Sequence, residues 1–186
     1  MGIIAWRIRR EGDGPILYKG TRVGLHGHPF NMYKFRTMVV NADQIGGPNT
    51  PDDDARLTRI GRILRRYKLD ELPQLFNVLL GDMSVVGPRP QVPQEVEGYS
   101  PEERELLLVR PGITDWASIR FHNEGTILRG QPDPDRAYAE LIRPEKMRLG
   151  LEYVRRGTLL DDVRILVTTA LLPFRREPGA PPEHAG

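Results

Sequence analysis

Asp54-Ala-Arg-Leu-Thr-Arg-Ile-Gly-Arg-Ile-Leu-Arg-Arg-Tyr-Lys-Leu-Asp-Glu-Leu-Pro-Gln-Leu-Phe-Asn-Val-Leu-Leu-Gly81 decides how this chain folds, because two helices and a turn are written into it. Leu57, Ile60, Leu64 and Tyr67 recur at helical spacing, which predicts a helix from an Asp54 cap to about Tyr67. Arg56, Arg59, Arg62, Arg65, Arg66 and Lys68 cover its other faces. A second helix is expected from Glu71 to Leu80, with Asp70 as N-cap and Pro73 in the first turn, where a missing N–H costs nothing. Gly81-Asp82 stops it, and Met83–Val86 reads as a short strand leading into Gly87-Pro-Arg-Pro90.

Working outward, Ile16–Lys19 and Phe30–Met38 are β-type runs separated by Gly20, Gly24 and Gly27, which predicts a hairpin with an irregular connection. Asn41–Pro51 carries Gly46-Gly47-Pro48-Asn49 and reads as a mobile loop. Ser100-Pro-Glu-Glu103 is a capping box for a helix to about Leu108, and Arg110–Trp116 reads as a turn-rich loop. Asp133-Pro134 opens a further helix, and Pro144 opens one that ends near Gly157. Leu159, Leu160, Val163, Leu166, Val167, Ala170 and Leu171 form an apolar stripe, with Ile165 and Leu172 off it and an acidic first turn at Asp161-Asp162. This last helix is either a core helix or one lying in a membrane plane, and core packing is the expectation. Pro173 ends it, Arg175-Arg176 follow, and the Pro/Gly-rich tail 178–186 reads as disordered. The predicted fold is α+β, mainly helical with a small β-hairpin, one compact domain with amphipathic interfacial helices.

The 186 residues suit one domain of ordinary size. With no cysteine, disulfides and thiolate zinc sites are excluded, and the four histidines are too scattered to replace thiolates. The net charge of +2 does not suit a nucleic-acid binder. Its distribution is uneven: residues 1–69 carry 13 basic and 6 acidic side chains, the remainder 14 and 19. Positive charge therefore gathers where an anionic ligand or membrane surface can use it. Twenty-three of the 27 basic residues are arginine, which favours forked recognition of phosphate. No apolar run is long enough to span a bilayer, but Ile3, Ile4, Trp6 and Ile8 with Arg7, Arg9 and Arg10 suit an interface.

Asp70-Glu71 is the chemical centre of the sequence. Two acidic residues at a helix start have a bland explanation in the helix dipole, yet a cap needs one carboxylate and no surrounding arginines. Carboxylates at a helix N-terminus among cations are expected to stay ionised. An ionised Asp is a competent nucleophile toward phosphorus, and phosphoryl chemistry needs its charge neutralised by Mg²⁺ and arginine.

Six ordered motifs carry a resemblance: Tyr33-Lys-Phe-Arg-Thr-Met38, Arg59-Ile-Gly-Arg62, Leu69-Asp-Glu-Leu-Pro-Gln74, Asn77-Val-Leu-Leu-Gly-Asp-Met-Ser84, Val86-Gly-Pro-Arg-Pro90 and Arg110-Pro-Gly-Ile-Thr114. Together they resemble the bacterial sugar transferases, the monotopic phosphoglycosyl transferases, from about Gly14 to about Thr169. The resemblance implies an enzyme that moves a sugar 1-phosphate from a UDP-sugar to a polyprenol phosphate at the cytoplasmic membrane face, releasing UMP. It implies that Asp70 attacks the phosphate carrying the sugar, that polyprenol phosphate attacks the resulting phosphosugar-aspartate, and that Mg²⁺ sits beside Asp70 and Glu71. It also implies phosphate contacts from Arg65 and Arg89. Residues 14–177 are then the catalytic domain, and residues 1–13 the remnant of a re-entrant membrane helix. The chain departs from the pattern at Asp115, where Gly is common and one branch has Asp, and at His122, where Arg is common. A histidine holds phosphate less well at neutral pH.

Weaker candidates remain. Lys34 and Arg36 alternate with Tyr33 and Phe35 on a strand, which puts both cations on one face, either solvated or on phosphate. His26-x-His28 lacks a third ligand and reads as solvent-exposed. Asp52-Asp53-Asp54 reads as helix capping and Trp116 as core or interface. The competing functional reading is a non-catalytic module that binds nucleotide or anionic lipid through the basic first third.

Overall fold

The computed structural model describes residues 1–47 and 49–172. Its hairpin pairs β1 (Leu17–Val23) with β2 (Pro29–Phe35), antiparallel, from Leu17 opposite Phe35 to Val23 opposite Pro29. The irregular connection is a 3-10 turn, Leu25–Gly27, in which His26 and Gly27 take positive φ. Each end of the hairpin enters a different apolar cluster. Phe35 packs with Ile8 and Leu64, while Val23 packs with Val96, Tyr99, Leu106 and Met147. A third cluster holds Leu128, Ala137, Tyr138 and Ile142.

Helix α1 (Gly2–Arg10) reaches the first cluster through Ile8. Behind it, Arg36 donates to the carbonyls of Asp13 (2.8 Å) and Gly12 (3.0 Å). The loop expected at Asn41–Pro51 contains a short helix, α2 (Ala42–Ile45). Helix α3 (Arg59–Arg66) starts later than its periodicity predicts, capped by Thr58, whose hydroxyl accepts from Gly61 N at 3.0 Å. Asp54 is not the cap, because its carboxylate is taken by the backbone N–H and guanidinium of Arg56 at 2.7–3.1 Å. Leu57 bridges Met38 and Thr58 N donates to Thr37 O, so these residues stay extended. A Cβ on Gly61 would lie 1.9 Å from Thr37 O, so only glycine allows α3 to cross here. Tyr67 is the C-cap of α3, exposed rather than on its buried face.

Helix α4 (Gln74–Leu80) begins after Pro73, and Gly81 closes it in the left-handed conformation (φ 84°). The strand β3 (Ser84–Val86) pairs in parallel with β4 (Gly112–Thr114), which lies inside the stretch expected to be a loop. Three residues are too short for alternation to show, and Pro111-Gly112 reads as a turn; pairing with a distant strand overrides that signal. Next come α5 (Pro93–Glu97) and a 3-10 segment, Glu103–Leu108. The Ser100–Glu103 box forms reciprocally (2.8 and 3.2 Å), although the segment it opens is 3-10 rather than α. Then follow α6 (Trp116–Arg120), α7 (Glu124–Leu128), α8 (Pro134–Leu141) and α9 (Arg143–Arg156). Asp133 caps α8 and Gly157 ends α9, both as expected.

Helix α10 (Leu159–Leu171) forms with a Thr158–Asp161 capping box, but its apolar stripe is not in the core. Ile165, off the stripe, is the buried residue, while Leu159 is 80% exposed and Leu160, Val163, Leu166, Val167 and Leu171 all face outward. The helix docks by its other edge: Thr169 shares a hydrogen bond with Thr114 of β4 (2.8 Å), and Tyr153 of α9 donates to Asp162 (2.7 Å). Among the described residues no helix is long and apolar enough to cross a membrane. The expectations for Pro173, Arg175-Arg176 and the tail 178–186 lie outside the described residues.

Candidate active site

The site is built where the chain leaves α3. Lys68 adopts a left-handed conformation (φ 55°), unusual for a residue with a side chain, and reverses the chain into a 3-10 turn, Leu69–Glu71. Asp70 is 7% exposed, and its Oδ1 is fully enclosed with no hydrogen-bond partner. It caps nothing, because α4 starts at Gln74 with Pro73 in the cap position. The capping explanation for the acidic pair therefore fails on geometry. A buried, unpartnered carboxylate oxygen lowers stability and calls for a functional reason.

Glu71, its neighbour, is clasped. Its Oε1 accepts from Lys34 Nζ at 3.2 Å and from Arg89 Nη2 at 2.7 Å. Arg89 Nη1 also donates to Gln74 Oε1 (3.0 Å) and to the carbonyl of Ile113 in β4. The guanidinium is thus gripped by the acidic turn, by α4 and by β4, with its Nε edge left over from these contacts. The Pro88-Arg89-Pro90 backbone restrains it further.

Burial pushes the Asp70 carboxyl above the usual range, against the Lys34 charge and helped by that of Glu71. Burial acts on Glu71 in the same direction, but Arg89 and Lys34 overcome it and bring its pKa down to about 2. The helix-dipole expectation for Asp70 is corrected accordingly. Without a helix N-terminus at hand, it is Glu71 that the cations hold ionised.

Two polar residues of α4 that sequence reasoning gave no role turn out to assemble the site. Asn77, wholly buried, accepts from Tyr33 N (3.0 Å) and donates to Asn31 O (2.8 Å) and Asp82 Oδ2 (3.2 Å). This clamps β2 onto α4 and delivers Lys34 to Glu71. Gln74, also wholly buried, holds Arg89. The available signal was two amides one helical turn apart within an otherwise apolar run, Leu72–Leu80.

The other predicted residues divide. Arg65 donates to Thr50 O (2.9 Å) and its charge reaches Asp70, so it lies at the rim of the site. Arg36 is turned to the end of α1 and does not join Lys34 on Glu71. His122 sits past α6 with Nδ1 3.1 Å from Ile119 O. Asp115 caps α6, accepting from Ser118 N at 2.6 Å.

Among the described residues no three acidic or histidine side chains converge as a ready-made metal cage. The donor set still suits Mg²⁺, a hard cation that is held through one or two carboxylates plus substrate phosphates. The neighbouring carboxylates of Asp70 and Glu71 supply that donor set.

With this geometry in hand, comparison with known proteins is specific. The family model described as bacterial sugar transferase matches residues 1–176. The uncharacterized sugar transferase EpsL of Bacillus subtilis is 46% identical over 162 residues, covering 87% of this chain and 71% of that protein. The UDP-glucose:undecaprenyl-phosphate glucose-1-phosphate transferase of Xanthomonas campestris is 38% identical over 90% of this chain. The undecaprenyl-phosphate galactose phosphotransferase of Salmonella typhimurium is 37% identical over 92%. The match spans only 33% and 36% of those two longer proteins.

Proposed function

This chain belongs to the bacterial sugar transferase family, and from that premise we propose that it transfers a sugar 1-phosphate from a UDP-sugar to a polyprenol phosphate. The observation that carries the reading is the buried, unpartnered Asp70 carboxylate beside a Glu71 held by Lys34 and Arg89. Asp70 attacks the phosphorus that bears the sugar. The bond to the bridging oxygen breaks, and that oxygen leaves with its electrons on UMP. A polyprenol phosphate oxygen then attacks the same phosphorus and breaks the Asp70–phosphorus bond, which restores the free carboxylate and yields a sugar-diphosphate-polyprenol.

Lys34, Arg89 and Arg65 supply positive charge around the transferring phosphoryl group, and Glu71 fixes the first two in place. Bound Mg²⁺, held by Asp70 and Glu71 with substrate phosphates, would neutralise phosphate charge and favour the ionised nucleophile. Polyprenol phosphate keeps its tail in a bilayer, so its user works at that boundary. The outward stripe of α10 and exposed Ile3 and Trp6 of α1 support contact with one leaflet.

The test is UMP release from UDP-glucose and UDP-galactose with undecaprenyl phosphate, Mg²⁺ and detergent or vesicles. Release that requires Asp70 supports the transferase. Tight UMP binding without turnover of either sugar would favour the non-catalytic module instead. Flotation with anionic vesicles at low salt tests the membrane contact, and failure to float would leave this chain without the lipid surface assigned to it.

A further inference from the structure

Gln74 and Asn77 lie one turn apart on α4, and both are wholly buried. Asn77 uses both ends of its amide. Gln74 uses one: Oε1 accepts from Arg89, while Nε2 is enclosed with no acceptor. A buried donor without a partner is rare in folded proteins and calls for an explanation. One turn earlier lies its complement, the enclosed acceptor Asp70 Oδ1, equally without a partner. Water reaches neither atom. The neighbouring Arg89 and Lys34 are donors and cannot receive the Gln74 amide, and Pro73 between the two residues has no N–H for Asp70.

We propose that Gln74 is a positioning residue that couples phosphate capture to orientation of the nucleophile, closing its Nε2 onto Asp70 Oδ1 when an anion occupies the free edge of Arg89. The inference rests on the transferase reading for its purpose, though not for its geometry. An anion drawn onto Arg89 shifts the guanidinium, and Gln74 follows because its Oε1 is bonded there. The amide then meets Asp70 and fixes that carboxylate by one oxygen, which leaves Oδ2 to attack. Both orphaned groups are satisfied in the same movement, so the free protein holds the unmade bond in reserve for the bound state.

The decisive experiment is a crystal structure of the wild-type chain soaked with UMP. Nε2 within about 3 Å of Asp70 Oδ1 is expected; the two atoms still apart, with UMP phosphate on Arg89, would overturn the proposal. Kinetics add a discriminating pair of variants. Gln74→Glu keeps an acceptor for Arg89 but loses the donor, so KM for the UDP-sugar should stay within about twofold while kcat falls roughly tenfold. Gln74→Met removes the orphaned amide at similar volume and should melt at or above the wild type. A purely structural Gln74 gives the opposite pattern, with Gln74→Met melting lower and Gln74→Glu at wild-type kcat. Should the wild type release no UMP from either sugar, the transferase reading falls, while the soaked structure still decides whether Gln74 closes on Asp70.

Discussion

Two regions of this chain handle charge in opposite ways. Along α9, arginines and glutamates pair at the surface: Arg148 with Glu145 and Glu152, Arg155 with Glu102 and Glu105. Beneath them the packing is apolar, with Met147 against Leu106, Tyr99, Val96 and Val23. In the Leu69–Gln74 turn the polar groups are inside. Asp70 and Gln74 are buried with unmade bonds, Glu71 is clasped by two cations, and Lys68 is strained in a left-handed conformation. Exposed pairs such as those on α9 contribute little each, but they are also harmless. The turn gives up stability for a preorganised arrangement of charges, which is the mark of a reactive site rather than a scaffold.

The largest effect should come from removing the charge that attacks phosphorus. Asp70→Asn should reduce UMP release to background while its melting temperature at neutral pH equals or exceeds that of the wild type. Loss of activity together with loss of folding would erase the contrast. Next in size, Arg89→Lys keeps the charge but cannot span Glu71, Gln74 and Ile113 O with a planar fork. Turnover should fall about a hundredfold, matching the roughly 3 kcal/mol typical of a lost donor to developing charge. Equal rates would reduce Arg89 to a structural role.

A smaller effect lies in the pH dependence of stability. The pKa of Glu71 is about 2 in the folded chain, below the ordinary 4.5, so its contribution is complete above the unfolded value and lost as pH falls through the folded one. The melting difference between wild type and Glu71→Gln should be constant near neutral pH and shrink from about 4.5 toward 2. Asp70 is raised by burial, so its sign is opposite, and the stabilising effect of Asp70→Asn should diminish as acid protonates the wild type. Smallest of all, Arg155→Ala on α9 should leave turnover unchanged and barely move the melting temperature. A large loss there would mean that the surface ion pairs matter more than the comparison allows.

Much of this fold could be read from local signals. The hairpin, the Asp133 and Gly157 helix boundaries and the acidic Asp161-Asp162 first turn follow from turn and cap chemistry, which depends on neighbours in sequence. The misses depend on which partner a group finds, whether near or far along the chain. Asp54 loses its capping role to Arg56, and β4 exists only because β3 lies beside it. Periodicity shows that α10 has an apolar stripe but not which way the stripe faces, and Thr114 on Thr169 turns it outward. At the site, charge and spacing mark Asp70, Glu71, Lys34 and Arg89 in the sequence, and the structure brings them together. Gln74 and Asn77 carry no charge to mark them in the sequence, and their role appears only in the hydrogen bonds they make.

Trapping the covalent intermediate tests Asp70 as the nucleophile most directly. Wild-type chain is incubated with UDP-glucose or UDP-galactose and Mg²⁺, without polyprenol phosphate, then quenched and digested for mass spectrometry. A hexose-phosphate adduct is expected on the peptide containing Asp70, formed with release of UMP and absent from Asp70→Asn. An adduct on another residue, or UMP release in the Asn variant at the wild-type rate, would contradict it.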